Sequence, residues 1–75
     1  MLINVPELKR TIVEKNTTME AVASALGINR STLYRKLKSG PAGITLRDAH
    51  YICEYLQLSE NETRNIFWHR NGPLM

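Results

Sequence analysis

The segment GINRSTLYRKLKSG, residues 27–40, combines a turn signal, a helix-capping residue and a cluster of positive charge. Gly27 suits the left-handed conformation that ends many helices, and Asn29 is a strong N-cap for a following helix. Only Ile28 separates the two signals, so one helix begins almost immediately after another ends. A connection this short forces the two helix axes to cross steeply, which predicts a helix-turn-helix.

The helix that follows, residues 29–38, has two distinct sides when it is drawn at 100° per residue. Leu33 and Leu37 share the inward side. The outward side and its edges carry basic, hydroxyl and aromatic groups and no carboxylate: Arg30, Ser31, Thr32, Tyr34, Arg35, Lys36 and Lys38. An ordinary solvated helix could show such charge, but the preceding turn and cap favour a helix that lies against a polyanion, such as the major groove of DNA.

The rest of the chain predicts short helices and no strands, because no run alternates apolar and polar residues for long. Helix one is predicted over residues 5–15, with Asn4 as its cap. Helix two begins after a cap at Thr17 or Thr18, and the sequence leaves these two alternatives open. Capping boxes that begin at Thr45 and Ser59 open helices four and five. We therefore predict an all-α fold of five helices.

Length and composition limit the remaining possibilities. A chain of 75 residues forms one domain, predicted over residues 1–70, and residues 71–75 are predicted to be a flexible tail. Cys53 is the only cysteine, which predicts a reduced, cytoplasmic setting. No apolar run is long enough for a membrane span, and so small a chain leaves little room for a small-molecule ligand. Residues 1–44 carry seven Lys or Arg and three Glu, which predicts one basic working face.

A family resemblance covers nearly the whole chain. TTMEAVASALGINRSTLYRKLKSG, residues 17–40, resembles the helix-turn-helix of Cro and phage-repressor-type regulators, the XRE superfamily with the lambda-repressor-like fold. ITLRDAHYICEYLQLSENETRNIF, residues 44–67, is similar to that family's fourth and fifth helices. The resemblance implies a compact five-helix domain that binds operator DNA through helices two and three.

The resemblance also implies which residues contact the DNA. Arg30, Ser31 and Arg35 are expected to face bases, with Thr32 and Tyr34 in support. By the same resemblance, the phosphate backbone is expected to lie against the start of helix two and the loop before helix four: Thr18, Met19, Gly43, Thr45 and Leu46. Independently of the resemblance, the basic side chains of helices one and three are long enough to reach phosphates: Lys9, Arg10, Lys36 and Lys38.

Two positions depart from the family pattern. The family often has glutamine at the place of Met19, where the amide binds a phosphate, and methionine does this poorly. The family also often has an Arg–Glu pair where Ile12 and Leu37 stand here. An apolar contact is expected to replace that ion pair, and such an exchange is frequently neutral or stabilising.

A second resemblance leads to the same partner. LGINRSTLYRKL, residues 26–37, also resembles the helix-turn-helix of Fis-type and enhancer-binding activators. In those proteins the motif ends the chain, whereas here the following sequence predicts two more helices. That difference favours the repressor type, and both resemblances imply double-stranded DNA as the partner.

Aromatic residues of the last two helices predict either a partner surface or extra core. Tyr51, Tyr55 and Trp68 lie opposite the apolar faces of helices four and five. If they are exposed, they predict a homodimer that reads two half-sites about one helical turn apart. The alternative is that the tyrosines fill the gap between these helices. A related alternative function is a protein-interaction module, similar to an antitoxin or anti-repressor partner.

Catalytic and metal-binding patterns are weak throughout. His50, Cys53 and Glu54 lie within about one turn of each other but point in different directions, so they do not predict a metal site. No nucleophile–base pair or phosphate-binding loop is evident, so we expect no enzyme activity and no cofactor. The predicted function is a Cro-like phage or prophage repressor, cytoplasmic and associated with the nucleoid of a bacterial or phage-infected cell.

Overall fold

The fold consists of five helices and a small sheet in a computed structural model that describes residues 2–39, 43–69 and 72–73. The helices are α1 (Val5–Glu14), α2 (Met19–Ala25), α3 (Arg30–Lys38), α4 (Leu46–Leu56) and α5 (Glu60–Ile66). The strands are β1 (Leu2–Ile3), β2 (Phe67–His69) and β3 (Gly72–Pro73). The predicted five-helix, all-α architecture is confirmed, and each helix begins within a residue or two of its predicted start.

The helix starts follow the capping residues in the sequence. The Asn4 side chain accepts a hydrogen bond from Glu7 N–H, and complete capping boxes open α4 at Thr45 and α5 at Ser59. The structure also decides between the two candidate caps of α2, because Thr18 Oγ1 accepts from Ala21 N–H at 3.1 Å. These local bonds satisfy backbone donors that have no partner inside the helix.

A small sheet joins the two ends of the chain, so the prediction of no strands is wrong there. Leu2 pairs with Trp68 and Ile3 with Phe67, while Trp68 and His69 pair with Pro73 and Gly72. Strands of two or three residues are too short to show the alternating pattern that identifies a strand. Residues 72–73 lie in β3. The domain boundary at residue 70 and the flexible tail over residues 71–75 stay predictions.

One apolar core joins all five helices to β2. The predicted inward residues of α1, α2, α3 and α4 are buried or half-buried in it, and Ile12 and Leu37 lie in the same cluster, as expected for an apolar contact in place of an ion pair. Ile66 and Phe67 close the far end. The buried cluster comprises Leu8, Ile12, Val22, Ala23, Leu33, Leu37, Ile44, Ala49, Ile52, Leu56, Ile66 and Phe67.

Two ion pairs connect different parts of the fold. Lys15 Nζ lies 3.2 Å from Glu62 Oε1, between the end of α1 and the start of α5. Lys36 Nζ lies 2.9 Å from Asp48 Oδ2, between α3 and α4. The second pair, together with the core, holds α3 against α4.

None of the helices in the described part of the chain combines the length and the apolar character needed to cross a bilayer.

Candidate nucleic-acid interface

The junction between α2 and α3 is a tight turn built from backbone hydrogen bonds. Gly27 has φ +76°, a left-handed conformation that glycine adopts without strain. Gly27 N–H donates to Ser24 O and Ile28 N–H donates to Ala23 O, each at 3.0 Å. This pair of bonds is the Schellman arrangement that ends a helix. Asn29 Oδ1 then accepts from Thr32 N–H at 2.8 Å, so α3 begins at once and the predicted helix-turn-helix is formed.

Helix α3 presents a basic surface to solvent. Leu33 and Leu37 are buried, which turns the opposite side of the helix outward. Five residues line one shallow concave surface there, which we call the recognition face: Arg30, Ser31, Tyr34, Arg35 and Lys38. The three residues predicted to face bases thus lie side by side on this face, and it contains no carboxylate.

Tyr34 holds two cations at the edge of the recognition face. Its ring centroid lies 5.4 Å from Arg30 Cζ and 5.5 Å from Lys9 Nζ. The negative face of an aromatic ring attracts cations at such distances. The Tyr34 ring therefore contacts Lys9 of α1 as well as Arg30 of its own helix, and the Lys9–Tyr34 contact spans 25 positions of sequence that no local pattern connects.

Thr32 fixes the second arginine of the face. Arg35 Nη2 donates to Thr32 Oγ1 at 3.2 Å, one helical turn away. This bond restricts the guanidinium, so less side-chain entropy remains to be lost when Arg35 meets a ligand. The supporting DNA contact expected of Thr32 itself stays a prediction.

The start of α2 adjoins the recognition face. Thr18, Met19 and Glu20 line a depression together with Arg30 and Tyr34. Met19 is half-buried against the core, so its position follows from packing rather than from a polar contact. Glu20 places a carboxylate at this edge, a feature that the charge pattern of α3 alone did not reveal.

Lys36 differs from the free surface cation that the sequence suggested. Its ammonium group donates to Asp48 Oδ2, and its side chain lies in a groove between the α2–α3 turn and α4. That groove shares no residue with the recognition face. Lys36 therefore ties α3 to α4, and its phosphate contact stays a prediction.

The Lys36–Asp48 pair also changes the acidity of Asp48. Partial burial by itself raises the pKa of this carboxyl group, but hydrogen bonds from Lys36 and from the Thr45 backbone outweigh that effect and lower the pKa below its ordinary value. A lowered folded-state pKa means that the unfolded chain binds the proton more tightly. The contribution of Asp48 to the stability of the folded domain is therefore present above the ordinary carboxyl pKa near 4. It disappears as the pH falls through the folded-state pKa of Asp48.

Replacing Asp48 with asparagine is therefore expected to destabilise the domain at pH 7 by about 1 kcal/mol or less, because the pair is partly exposed. The difference between the two proteins should shrink as the pH is lowered from 7 into the acid range, because the wild-type carboxylate becomes protonated as the pH falls through its lowered folded-state pKa. Urea unfolding at pH 7 and at a series of acid pH values measures this. Other carboxylates titrate in both proteins and cancel, so a difference that stays constant with pH would contradict the assignment.

The two basic residues within α1 make different contacts. Lys9 lies beside Tyr34, whereas Arg10 bonds Glu7 and Glu14 on its own helix. Hydrogen bonding to Glu7 and the charge of both carboxylates raise the pKa of Arg10. Of the two, Lys9 is the cation that the fold brings to the recognition face.

The loop before α4 packs closely on the end of α3. A Cβ atom added to Gly43 would overlap the carbonyl oxygen of Lys36 and lie 2.9 Å from Ser39 Cβ. Thr45 N–H donates to Asp48 Oδ2 at 3.2 Å, so this amide already has a partner and is less available to a phosphate than expected. The Leu46 side chain is exposed.

The tyrosines of α4 are exposed, with 44% of Tyr51 and 45% of Tyr55 accessible. The Arg47 guanidinium lies 5.7 Å from the Tyr51 ring, and the Tyr55 hydroxyl lies 3.3 Å from Thr17 Oγ1. Tyr55 thus reaches the α1–α2 connection instead of a gap between α4 and α5. The side chain of Trp68 lies outside the described residues, so its predicted part in a partner surface stays a prediction.

The suggested cluster of His50, Cys53 and Glu54 is divided by the fold. Cys53 is half-buried with its Sγ 3.8 Å from Thr63 Oγ1, while His50 and Glu54 are exposed. Burial raises the pKa of the Cys53 thiol, which disfavours a metal-binding thiolate. Within the described ranges, no three His, Cys, Asp or Glu side chains are grouped to hold a metal ion.

Comparison with known proteins agrees with this geometry. No curated protein and no solved structure matches the chain significantly. The model of one family, described as the Cro/C1-type HTH DNA-binding domain, matches residues 7–62, a range that runs from α1 into α5. The chain therefore belongs to the family of Cro/C1-type helix-turn-helix DNA-binding domains.

Proposed function

We propose that the protein is a transcriptional regulator that reads specific sites in double-stranded DNA, as a Cro-like phage or prophage repressor does. The observation that carries the proposal is the recognition face, where Arg30, Ser31 and Arg35 are exposed together without a carboxylate. A helix of this shape fits the major groove, and residues in its first turns reach base edges.

The two arginines are suited to reading guanine. An arginine can donate two hydrogen bonds to O6 and N7 of one guanine. Arg35 is restrained by Thr32 and Arg30 by the Tyr34 ring, so both guanidinium groups are partly ordered before DNA is bound. Ser31 between them has a hydroxyl that can donate or accept, which suits several bases.

Backbone contacts are expected on either side of the base-reading residues. Lys38 lies at the end of α3 and Lys9 at the Tyr34 edge, and both carry exposed ammonium groups. Thr18 and Met19 at the start of α2 remain the proposed phosphate contacts of that helix. We give Lys36 and Arg10 a smaller part in phosphate binding, because carboxylates already engage both side chains.

Arg35→Ala is expected to weaken binding to a selected site by about 1–3 kcal/mol, roughly 5- to 150-fold, and to relax the preference at one base pair. The loss arises because a base-edge contact distinguishes the right base from the wrong one. The site would first be obtained by selecting bound sequences from random duplex DNA. Affinities for that site and for its single-base variants then give the preference at each position.

Lys38→Ala is the matched control on the same helix. A phosphate contact carries no sequence information, so this change should weaken specific and random duplex alike and reduce the slope of log affinity against log salt by about 0.9. If Arg35→Ala behaved in the same way, with equal losses on both duplexes, its base-reading role would be wrong.

A second function is favoured by the exposed tyrosines of α4. The domain could serve as a protein-interaction module, in which Tyr51 and Tyr55 bind a protein and the basic helix is unimportant. A salt titration of binding to mixed genomic duplex separates the two functions. Measurable affinity at low salt that falls steeply with added salt supports DNA binding, and no affinity at low salt would contradict it.

A further inference from the structure

The outward side of α4 forms a surface that shares no residue with the recognition face, although Leu46, a predicted phosphate contact, lies at its edge. Ala49, Ile52 and Leu56 face the core, so the opposite side of the helix carries Arg47, His50, Tyr51 and Glu54, with Leu46 and Tyr55 at its two edges. All six side chains are exposed. Five of them line one shallow groove of about 440 Å³, and none of them belongs to the recognition face.

Apolar exposure is concentrated on this helix. Among the described residues, four large apolar or aromatic side chains are exposed, and three of the four lie on α4: Leu46, Tyr51 and Tyr55. Exposed aromatic and apolar groups on one face are typical of a surface that a partner covers. The remaining question is which partner fits.

The charged residues of this surface can pair with those of an identical surface on a second copy. Arg47 and Glu54 lie seven residues apart, about 10 Å along the helix, with Tyr51 between them. Within the described part of the chain, neither Arg47 nor Glu54 has an ion-pair partner. A second α4 that runs antiparallel, with a two-fold axis between His50 and Tyr51, places each Arg47 opposite the partner's Glu54.

We propose that two copies of this chain associate through α4, packed antiparallel about a two-fold axis between His50 and Tyr51. Arg47 pairs with the partner's Glu54, and this contact occurs twice, as two-fold symmetry requires. The two Tyr51 rings meet near the axis, on the same side of the paired helices. The recognition face of each copy remains uncovered, because it shares no residue with this surface.

The charge balance argues against a nucleic acid as the occupant of this surface. Glu54 would face phosphate groups with a like charge, whereas a second copy provides an opposite charge for both ends of the surface at once. This interface would form the homodimer that the exposed aromatic residues predict, and it rests on the proposed function only for its biological use.

Charge reversal tests the interface in two variants. Arg47→Glu gives a chain with two acidic groups on the surface, and Glu54→Arg gives a chain with two basic groups. Each variant alone should dimerise at least about tenfold more weakly than the wild type, because like charges then face each other. An equimolar mixture should form a heterodimer, since every acidic group meets a basic one, and the double variant in one chain should dimerise again.

Both substitutions are expected to preserve folding. Arg47 lies in the first turn of α4 and Glu54 in its last turn, so an acidic group at the former and a basic group at the latter interact favourably with the helix dipole. Thermal melting by circular dichroism checks this at a protein concentration low enough for every sample to be monomeric, because dimerisation itself raises the melting temperature. Loss of association in a variant that melts at or above the wild-type temperature under those conditions therefore reports on the interface.

Sedimentation equilibrium at low ionic strength, without DNA and at submillimolar protein concentration, measures all five samples. A monomeric wild type, single variants that still dimerise, or a mixture that does not associate would each overturn the interface. Low-salt binding of each variant to random duplex is measured in parallel. Retained DNA binding with no dimer contradicts only the interface, whereas a wild-type dimer without DNA affinity contradicts only the proposed function.

Discussion

Replacing Leu33 with alanine is expected to lower the free energy of unfolding by about 2–5 kcal/mol. Leu33 is fully buried in the core beneath the recognition face, so the change removes apolar contacts and leaves a cavity. A domain of this size is expected to have only about 4–11 kcal/mol of total stability. The variant should therefore lose a large share of its stability and, with it, the helix that carries Arg30 and Arg35.

Urea denaturation followed by circular dichroism measures the loss, and Val13→Ala is the control. Val13 lies on α1 with 72% of its surface exposed, so its truncation should change stability by no more than about 0.5 kcal/mol. A cost below about 1 kcal/mol for Leu33→Ala would show that α3 does not depend on this side chain for its packing.

Replacing Gly43 with alanine is expected to cost about 3 kcal/mol, the upper part of the range for overpacked sites. The new methyl group would overlap the Lys36 carbonyl oxygen, which belongs to the backbone of α3 and cannot rotate away. Either the loop must move off α3 or the end of α3 must shift. Thermal and urea unfolding of the purified variant give the cost directly.

Gly27→Ala separates this steric effect from backbone strain. A Cβ atom at Gly27 meets no atom within 4 Å, but the residue has φ +76°. Its replacement should cost about 1–2 kcal/mol through strain alone. We thus expect Gly43→Ala to be the more harmful of the two, and the reverse order would show that the loop yields easily at Gly43.

The loss of the Gly43 packing should also be visible in DNA binding. Gly43 fixes the approach of the chain to the C-terminal end of α3, close to Lys36. A shift there moves α3 relative to α4, so the affinity of the folded variant for its selected site should fall more than its affinity for random duplex. If both affinities stayed unchanged, the packing of the loop at Gly43 would have no influence on DNA binding by the recognition face.

Most of the secondary structure could be predicted from sequence because the signals are local. The caps at Asn4, Asn29, Thr45 and Ser59 act within three residues, and the apolar period of each helix selects its inward side. The strands could not be predicted, because β1 and β2 are short and pair across some 65 positions of sequence.

The residues of the recognition face could also be predicted from the sequence. Once Leu33 and Leu37 face inward, the helical period alone turns Arg30, Ser31 and Arg35 outward. Their roles toward bases remain predictions. The same reasoning could not detect that Thr32 holds Arg35, because a hydroxyl one turn away can equally bond water or backbone.

The sequence by itself thus determined the helices, the tight turn at Gly27 and the outward side of α3, since short-range hydrogen bonds and helical periodicity decide these features. Only the tertiary structure decided that Lys36 bonds Asp48, that Lys9 joins Arg30 at Tyr34, and that Gly43 packs on α3. The physical reason is that these contacts join residues whose separation along the chain has no periodic signal, and only the packing of the core brings them together.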